Sequence, residues 1–405
     1  MNTTPPPEIK TQLSAILQAA SEQIPDLTAT IVDRKGNVIF SHDNTGPKEP
    51  PIFFLASCIK LIVAVATMQL REQGKLELDD EDIVERLCPE LKELKVLAGV
   101  DEDGCAKYVK KEKAITARML LSHTAGFGYP GMSKPLRNAL PKGYNVTSGQ
   151  VKDLCIPLLF QPGSDWQYGA GFDWLGVFIE RLTKTTLNNY FQENIFNPLS
   201  IENYTTVLDS HQKPQLASLH HRNTESGLLA TIEQPKRHGQ LHPEDRNVAT
   251  ILGPPAEYTK LLSALLNEGT CPITKHQLLK PESVAQLLDM PVPQFTQKPR
   301  AILDGDPYET NQIPHICLPG REGRRTNWCF GGAVEETDGK TPVVYWAGIA
   351  NCYWWCDRER GLAGIVAAQI LPFWDGDVRG VLGEVFWGRC WRCLIVMRES
   401  DGFDT

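Results

Sequence analysis

Apolar positions along the chain change period several times, and each change predicts an element. Ile9, Leu13, Ile16 and Leu17 fall on one side of a helical wheel, which predicts an amphipathic helix over residues 8–24. Residues 27–32 and 37–42 are short β-rich runs, and Asp33-Arg-Lys-Gly36 between them reads as a hairpin loop. Residues 57–73 have helical spacing and stop at Gly74, a residue suited to the position after a helix end. Residues 61–66 are apolar without interruption, so this helix is expected to be buried nearly all round. The middle, from about residue 77 to 300, reads as helical and loop-rich, with short helices over 115–122, 172–183, 187–196, 257–267 and 281–288. Residues 211–246 are polar and His-rich without a clear period, and read as a long surface excursion. After residue 300 the texture turns β-rich, with strands over 328–335, 341–350 and 362–370 and a loop or hairpin tip over 351–360. Strands at both chain ends with helices between predict an α+β fold. Residues 1–60 and 300–405 would build one antiparallel sheet region, and residues 61–299 an inserted, mainly helical region of the same composite unit.

Composition narrows the function classes. The 405 residues are 41% hydrophobic and 22% charged, an ordinary globular balance. The formal net charge of −8, without a Lys/Arg block, argues against a nucleic-acid partner. No apolar run approaches the length of a membrane span, and the N-terminus lacks the basic and apolar regions of a secretion signal. A cytoplasmic protein without a membrane partner is expected. Eleven cysteines, an odd number scattered over a long chain, fit free thiols better than a disulfide framework. Cys352 with Cys356, and Cys390 with Cys393, lack the second ligand pair that a zinc site needs. No metal and no cofactor are expected.

Lys60 is hard to place by packing alone, because a lysine one turn into a buried helix costs several kcal/mol unless partnered. Ser57 lies three residues earlier, on the same helical face and near the helix N-terminus. A serine hydroxyl is a nucleophile when a base takes its proton. A lysine can be that base if its apolar neighbours, here Ile59, Leu61, Ile62 and Val63, lower its pKa. The competing reading is a serine cap with a lysine whose stem lies on apolar surface. Tyr168, in a turn-rich loop that leads into the helix at 172, is a second potential proton carrier, or else a packed ring beside Trp166. In Tyr345-Trp-Ala-Gly-Ile-Ala-Asn351, expected on an edge-like strand, Ala347 and Gly348 would let a ligand approach the backbone. A backbone N–H there, with that of Ser57, would form an oxyanion hole.

Taken together, Ser57-Cys-Ile-Lys60, Ile115-Thr-Ala-Arg-Met-Leu-Leu-Ser-His-Thr-Ala-Gly126, Pro162-Gly-Ser-Asp-Trp-Gln-Tyr168-Gly, Trp346-Ala-Gly348 and Gly361-Leu-Ala-Gly364…Gln369-Ile-Leu-Pro372 are more specific than any one of them. The chain resembles the class C β-lactamase-like serine hydrolases over most of residues 8–373, and within them the esterase and acyltransferase branch similar to fungal lovastatin-type acyltransferases. The resemblance implies a β-lactamase/transpeptidase-like fold. It implies Ser57 as the acylated nucleophile, Lys60 as its base partner and Tyr168 as a sharer of proton transfer. It places the oxyanion donors at the N–H groups of Ser57 and Ile349, and makes His123 a structural core histidine.

The chain also departs from the bacterial pattern. Tyr168 is followed by Gly169-Ala170 where Tyr-x-Asn or Tyr-Ser-x is usual. Trp346 stands where a cation would grip the carboxylate of a penicillin-type substrate. The aromatics of Asn351-Cys-Tyr-Trp-Trp-Cys-Asp357, Trp354 among them, suit an apolar acyl or polycyclic substrate. Residues 249–253 suggest a shortened strand, and residues 380–405 replace the usual amphipathic C-terminal helix, with Trp387, Trp391, Ile395 and Val396 available for a substitute. The resulting expectation is a serine-dependent acyltransferase of secondary metabolism. It would take a small-molecule ester or thioester donor, free or carrier-protein bound, and an alcohol acceptor, with Trp346, Gly348 and Trp354 against the substrate. A carboxylesterase or β-lactamase-like hydrolase using the same acyl-enzyme is the alternative, and a non-catalytic binding protein on this fold is the other.

Overall fold

The computed structural model describes residues 7–45, 51–100, 105–232, 251–289, 302, 304–313, 326–335 and 342–387. Helix α1 (Pro7–Ala20) buries Ile9, Leu13 and Leu17, the stripe read from the sequence. Strands β1 (Thr28–Asp33) and β2 (Val38–Asp43) form a hairpin. The Asp33 carboxylate accepts the Lys35 and Asn37 N–H groups, both at 2.9 Å, and fixes the turn. The two-residue strand β3 (Phe53–Phe54) leads through a single 3₁₀ turn, Ala56–Cys58, into α2 (Ile59–Glu72). The helix proper therefore starts after Ser57 rather than at it. In α2 every residue from Ile59 to Leu70 is buried.

The middle of the chain holds α3 (Ile83–Leu87), an outlying hairpin of β4 (Lys95–Val100) and β5 (Ala106–Lys110), then α4 (Ala117–Leu121) and α5 (Lys134–Ala139). Thr116 caps α4 by accepting the Met119 N–H. Then come α6 (Gly171–Thr183) and α7 (Leu187–Phe191). Part of the segment expected as a surface excursion is ordered. Strands β6 (Leu219–Arg222) and β7 (Leu229–Ile232) form a hairpin, while residues 233–246 lie outside the described residues. Strand β8 (Leu252–Gly253) is two residues long, as short as expected, and pairs with β3. Helices α8 (Pro255–Leu266) and α9 (Pro281–Leu288) close this part.

The last part holds β9 (Thr326–Trp328), β10 (Ala333–Glu335), β11 (Val343–Gly348), β12 (Cys352–Asp357), β13 (Leu362–Ala367), β14 (Ile370–Leu371) and α10 (Gly376–Trp387). Seven strands form one antiparallel sheet in the order β2-β1-β13-β12-β11-β10-β9, so both chain ends build it. Helix α8 packs across β1 and β13, α2 packs on α6, and α1 packs on α10. Val378, Val381, Leu382 and Val385 of α10 are buried, so a C-terminal helix is present, starting before residue 380. Trp391, Ile395 and Val396 lie outside the described residues.

Two expectations are corrected. Residues 351–360 are not a loop tip: Cys352–Asp357 is a sheet-centre strand with all six residues buried. Both its faces are covered, so it lacks the alternation that marks a half-exposed strand. Strand β11 is not an edge either, because β10 and β12 flank it. Among the described residues, β10 pairs with Val343, Val344 and Tyr345, and Trp346–Gly348 have no strand partner on that side. The described cysteines are all free thiols, and the described residues hold no group of three potential metal ligands and no helix long and apolar enough to cross a membrane.

Asn351, fully buried with φ of 60°, ties the β11–β12 turn to the segment before α10. Its Nδ2 donates to the carbonyls of Ile370 (2.8 Å) and Pro372 (3.0 Å), and its Oδ1 accepts from the Tyr353 hydroxyl (2.7 Å) and the Asp375 N–H (3.0 Å). Asn351→Ala strips four buried groups of their partner and puts a Cβ-only residue at a left-handed position. Chemical denaturation is expected to show a loss of about 2–4 kcal/mol, and a loss below 1 kcal/mol would refute this role.

Candidate active site

Ser57 sits in the 3₁₀ turn that β3 feeds into α2. Distant residues hold that turn. Gln369 brackets Phe54, accepting its N–H (3.0 Å) and donating to its carbonyl (3.2 Å). The Leu55 N–H donates to the Ile251 carbonyl (3.0 Å), and the Tyr258 hydroxyl donates to the Cys58 carbonyl (2.8 Å). Ala56, just before the serine, has φ of 45°, a left-handed conformation that costs a non-glycine residue about 1–3 kcal/mol and persists where the surroundings enforce it. The result is a serine presented at the N-terminal end of α2, where the helix dipole favours a developing negative charge.

Lys60, in the first turn of α2, is only 3% exposed. Its Nζ lies 3.1 Å from Ser57 Oγ. Two aromatic rings flank the same nitrogen, with centroids at 5.1 Å (Tyr168) and 5.4 Å (Tyr129). This is a dry setting in which a cation gains from ring faces. Burial pushes the neighbouring Cys58 thiol well above its ordinary value, so it offers no competing thiolate.

Tyr168 is held from three sides. Its loop crosses residues 127 and 128 so closely that a Cβ on Gly169 would lie 2.4 Å from the Phe127 carbonyl oxygen. His123, with φ of 57°, accepts the Gly169 N–H on Nδ1 (3.4 Å) and packs its ring against Tyr168, Phe172 and Trp328. It is a loop-packing histidine, buried behind the tyrosine. Trp346 donates its indole N–H to the Tyr168 hydroxyl oxygen at 3.2 Å. A neutral donor therefore stands where a cation was missed in the sequence.

The end of β11 closes the site. A Cβ on Gly348 would lie 2.3 Å from the Leu55 carbonyl oxygen, so only glycine lets this strand end approach the serine turn. Ser57, Tyr168, Trp346 and Ile349 line one pocket, whose remaining wall is apolar and includes Ile302, Tyr353 and Phe373. A second pocket shares Ser57, Met132, Tyr168 and Ile349 with the first and adds Tyr144, Asn145, Thr147 and Glu309. The serine thus lies where an apolar chamber and a more polar one meet. Trp354 is not in either wall. It is 1% exposed, with its ring 6.1 Å from that of Tyr258, and the residue that β12 contributes to the cavity is Tyr353. Neighbours on a strand point to opposite faces; reading the segment as a loop hides that alternation. The sequence reading also misses Tyr129 and Asp173. The Tyr129 hydroxyl donates to the Asp173 carboxyl at 2.5 Å.

A buried lysine on a serine hydroxyl, a tyrosine held beside it and a glycine strand end against the serine turn are the parts that serine acyl transfer needs. The chain belongs to the beta-lactamase family, whose model matches residues 13–382, and it is an enzyme of that family's serine acyltransferase/hydrolase kind. Among curated proteins it is 30% identical over 349 residues to monacolin J acid methylbutanoyltransferase of Aspergillus terreus, covering 82% of this chain and 80% of that one. It is 29% identical over 366 residues to lovastatin esterase of Penicillium rubens, covering 84% and 86%. Among solved structures, a mutant of simvastatin synthase from Aspergillus terreus superposes with a TM-score of 0.79 at 27% identity, covering 98% of this chain and 96% of that one.

Proposed function

We propose that this protein is a serine acyltransferase with a Ser57-Lys60-Tyr168 centre. Ser57 Oγ attacks the carbonyl of an ester or thioester donor and Lys60 takes its proton. Tyr168 returns a proton to the leaving group, and an alcohol then removes the acyl group by the reverse steps. The N–H groups of Ser57 and Ile349 receive the oxyanion. The observation that carries this reading is the 3.1 Å contact between a buried lysine and the serine hydroxyl. The apolar wall beside the serine suits an aliphatic acyl group. The likeness to monacolin J acid methylbutanoyltransferase supports transfer in secondary metabolism. The likeness to lovastatin esterase supports a second reading, hydrolysis of the same acyl-enzyme.

The test is intact-protein mass spectrometry after exposure to a fluorophosphonate, followed by product analysis with an acyl thioester and an alcohol. One adduct on Ser57, absent from Ser57→Ala, and an ester product are expected. No adduct on the wild type would refute Ser57 as the nucleophile, and free acid alone with every alcohol offered would leave the hydrolase.

A further inference from the structure

Proton transfer from Ser57 turns Lys60 into an ammonium in a nearly dry place, and the proposed centre contains no carboxylate to balance the new charge. Among the described residues, four titratable side chains besides Ser57 face Lys60 or act on it: Cys58, Tyr129, Tyr168 and Asp173. Asp173 alone among them is a carboxyl. It lies in the first turn of α6, 2% exposed, five residues after Tyr168. Burial holds its carboxyl above the usual carboxylate range, and the charge of Lys60 pulls it back down. Attraction between two opposite charges is mutual, so an Asp173 carboxylate would attract an ammonium formed at Lys60.

Tyr129 connects the two. Its hydroxyl donates to Asp173 while its ring presents a face to the Lys60 nitrogen. A phenol that donates to a carboxylate carries more electron density in its ring, which strengthens attraction for a cation over the face. We propose that Asp173, acting through Tyr129, is a positioning residue that balances the ammonium formed on Lys60 during acylation. The inference rests on the acyl-enzyme reading above. In the step it assists, the Ser57 O–H bond breaks and an N–H bond forms on Lys60. The Oγ–acyl bond forms, the bond to the leaving group breaks, and the leaving group departs with a proton from Tyr168.

Asp173→Asn keeps the size and can still accept from Tyr129, but carries no charge. Burst kinetics with a p-nitrophenyl ester across pH are expected to show acylation slowed by about 10- to 100-fold. The acid limb is expected to move down by about one pH unit, because an ammonium without its counter-charge gives up its proton more readily. Tyr129→Phe, which cuts the same link, is expected to reproduce both changes in part. The double variant should be no slower than the slower single one, since both changes remove one coupled unit. A normal wild-type burst with an unmoved acid limb in Asp173→Asn overturns the proposal, whatever its rate, and so do fully multiplicative effects in the double variant. A wild type with no acyl-enzyme at Ser57 instead overturns the reading beneath it. Tyr129→Phe keeps the Asp173 carboxyl and deletes only the hydroxyl bonded to it, so it keeps the test decisive if Asp173→Asn does not fold.

Discussion

Lys60→Ala is expected to lower the rate of acyl-enzyme formation by about 10²–10⁴-fold, the contribution of a positioned general base. The side chain makes its one described hydrogen bond to the Ser57 hydroxyl at 3.1 Å and is otherwise surrounded by aromatic rings. Without the amine, the serine must ionise unaided at the mouth of an apolar chamber, where a bare oxyanion is poorly solvated. Single-turnover acylation with an activated ester, followed by mass, measures the step directly. A cooperative thermal melt should accompany the slow variant, since truncation of Lys60 leaves the Ala56–Cys58 turn its ties to Gln369, Ile251 and Tyr258. Acylation within threefold of the wild type across neutral pH would show that some other group takes the proton.

Gly348→Ala is expected to cut kcat by about 10²–10³-fold, the size of effect seen when an oxyanion donor is displaced. The added methyl group would sit 2.3 Å from the Leu55 carbonyl oxygen and 3.0 Å from its carbonyl carbon. Backbone cannot swing aside as a side chain would, so strand and turn must part. Both proposed oxyanion donors, the N–H groups of Ser57 and Ile349, ride on the two pieces that separate. The readout is kcat alongside the melting curve: a folded protein that binds substrate but turns over slowly is the predicted outcome. A kcat within twofold of the wild type would mean that β11 does not form the oxyanion wall.

The parts of the site that a single sequence reveals are those set by short spacing. Ser57 and Lys60 are one turn apart, and the chain's uniform apolarity around Lys60 makes the lysine conspicuous. Tyr168 stands out because glycines and a proline surround it, and Trp346 because two small residues follow it. The seven-stranded sheet from both ends is legible for a similar reason, since β-rich runs frame a helical middle. What escapes is whatever tertiary contact decides. Strand β12 hides as a loop because burial on both faces erases its period, and Trp354 is misplaced with it. Tyr129 and Asp173 are 44 residues apart and carry no local mark. Ala56 gives no hint of its left-handed backbone, which its surroundings impose. Hairpin β6–β7 hides in polar, aperiodic sequence because part of its order comes from pairing with β14, far along the chain.

The bracket that Gln369 places on Phe54 spans 315 residues of sequence. A ribosome therefore delivers the serine and lysine long before it delivers the residues that seat them. A nascent chain carrying only the N-terminal half has both reactive groups but no glycine strand end against the turn and no amide holding β3. It is expected to be chemically silent, so a half-made protein cannot trap acyl groups in the cell. Closing such long loops is slow, and the appearance of acylation activity during synthesis or refolding becomes a clock for the last event in assembly, the docking of the C-terminal strands onto the first hairpin.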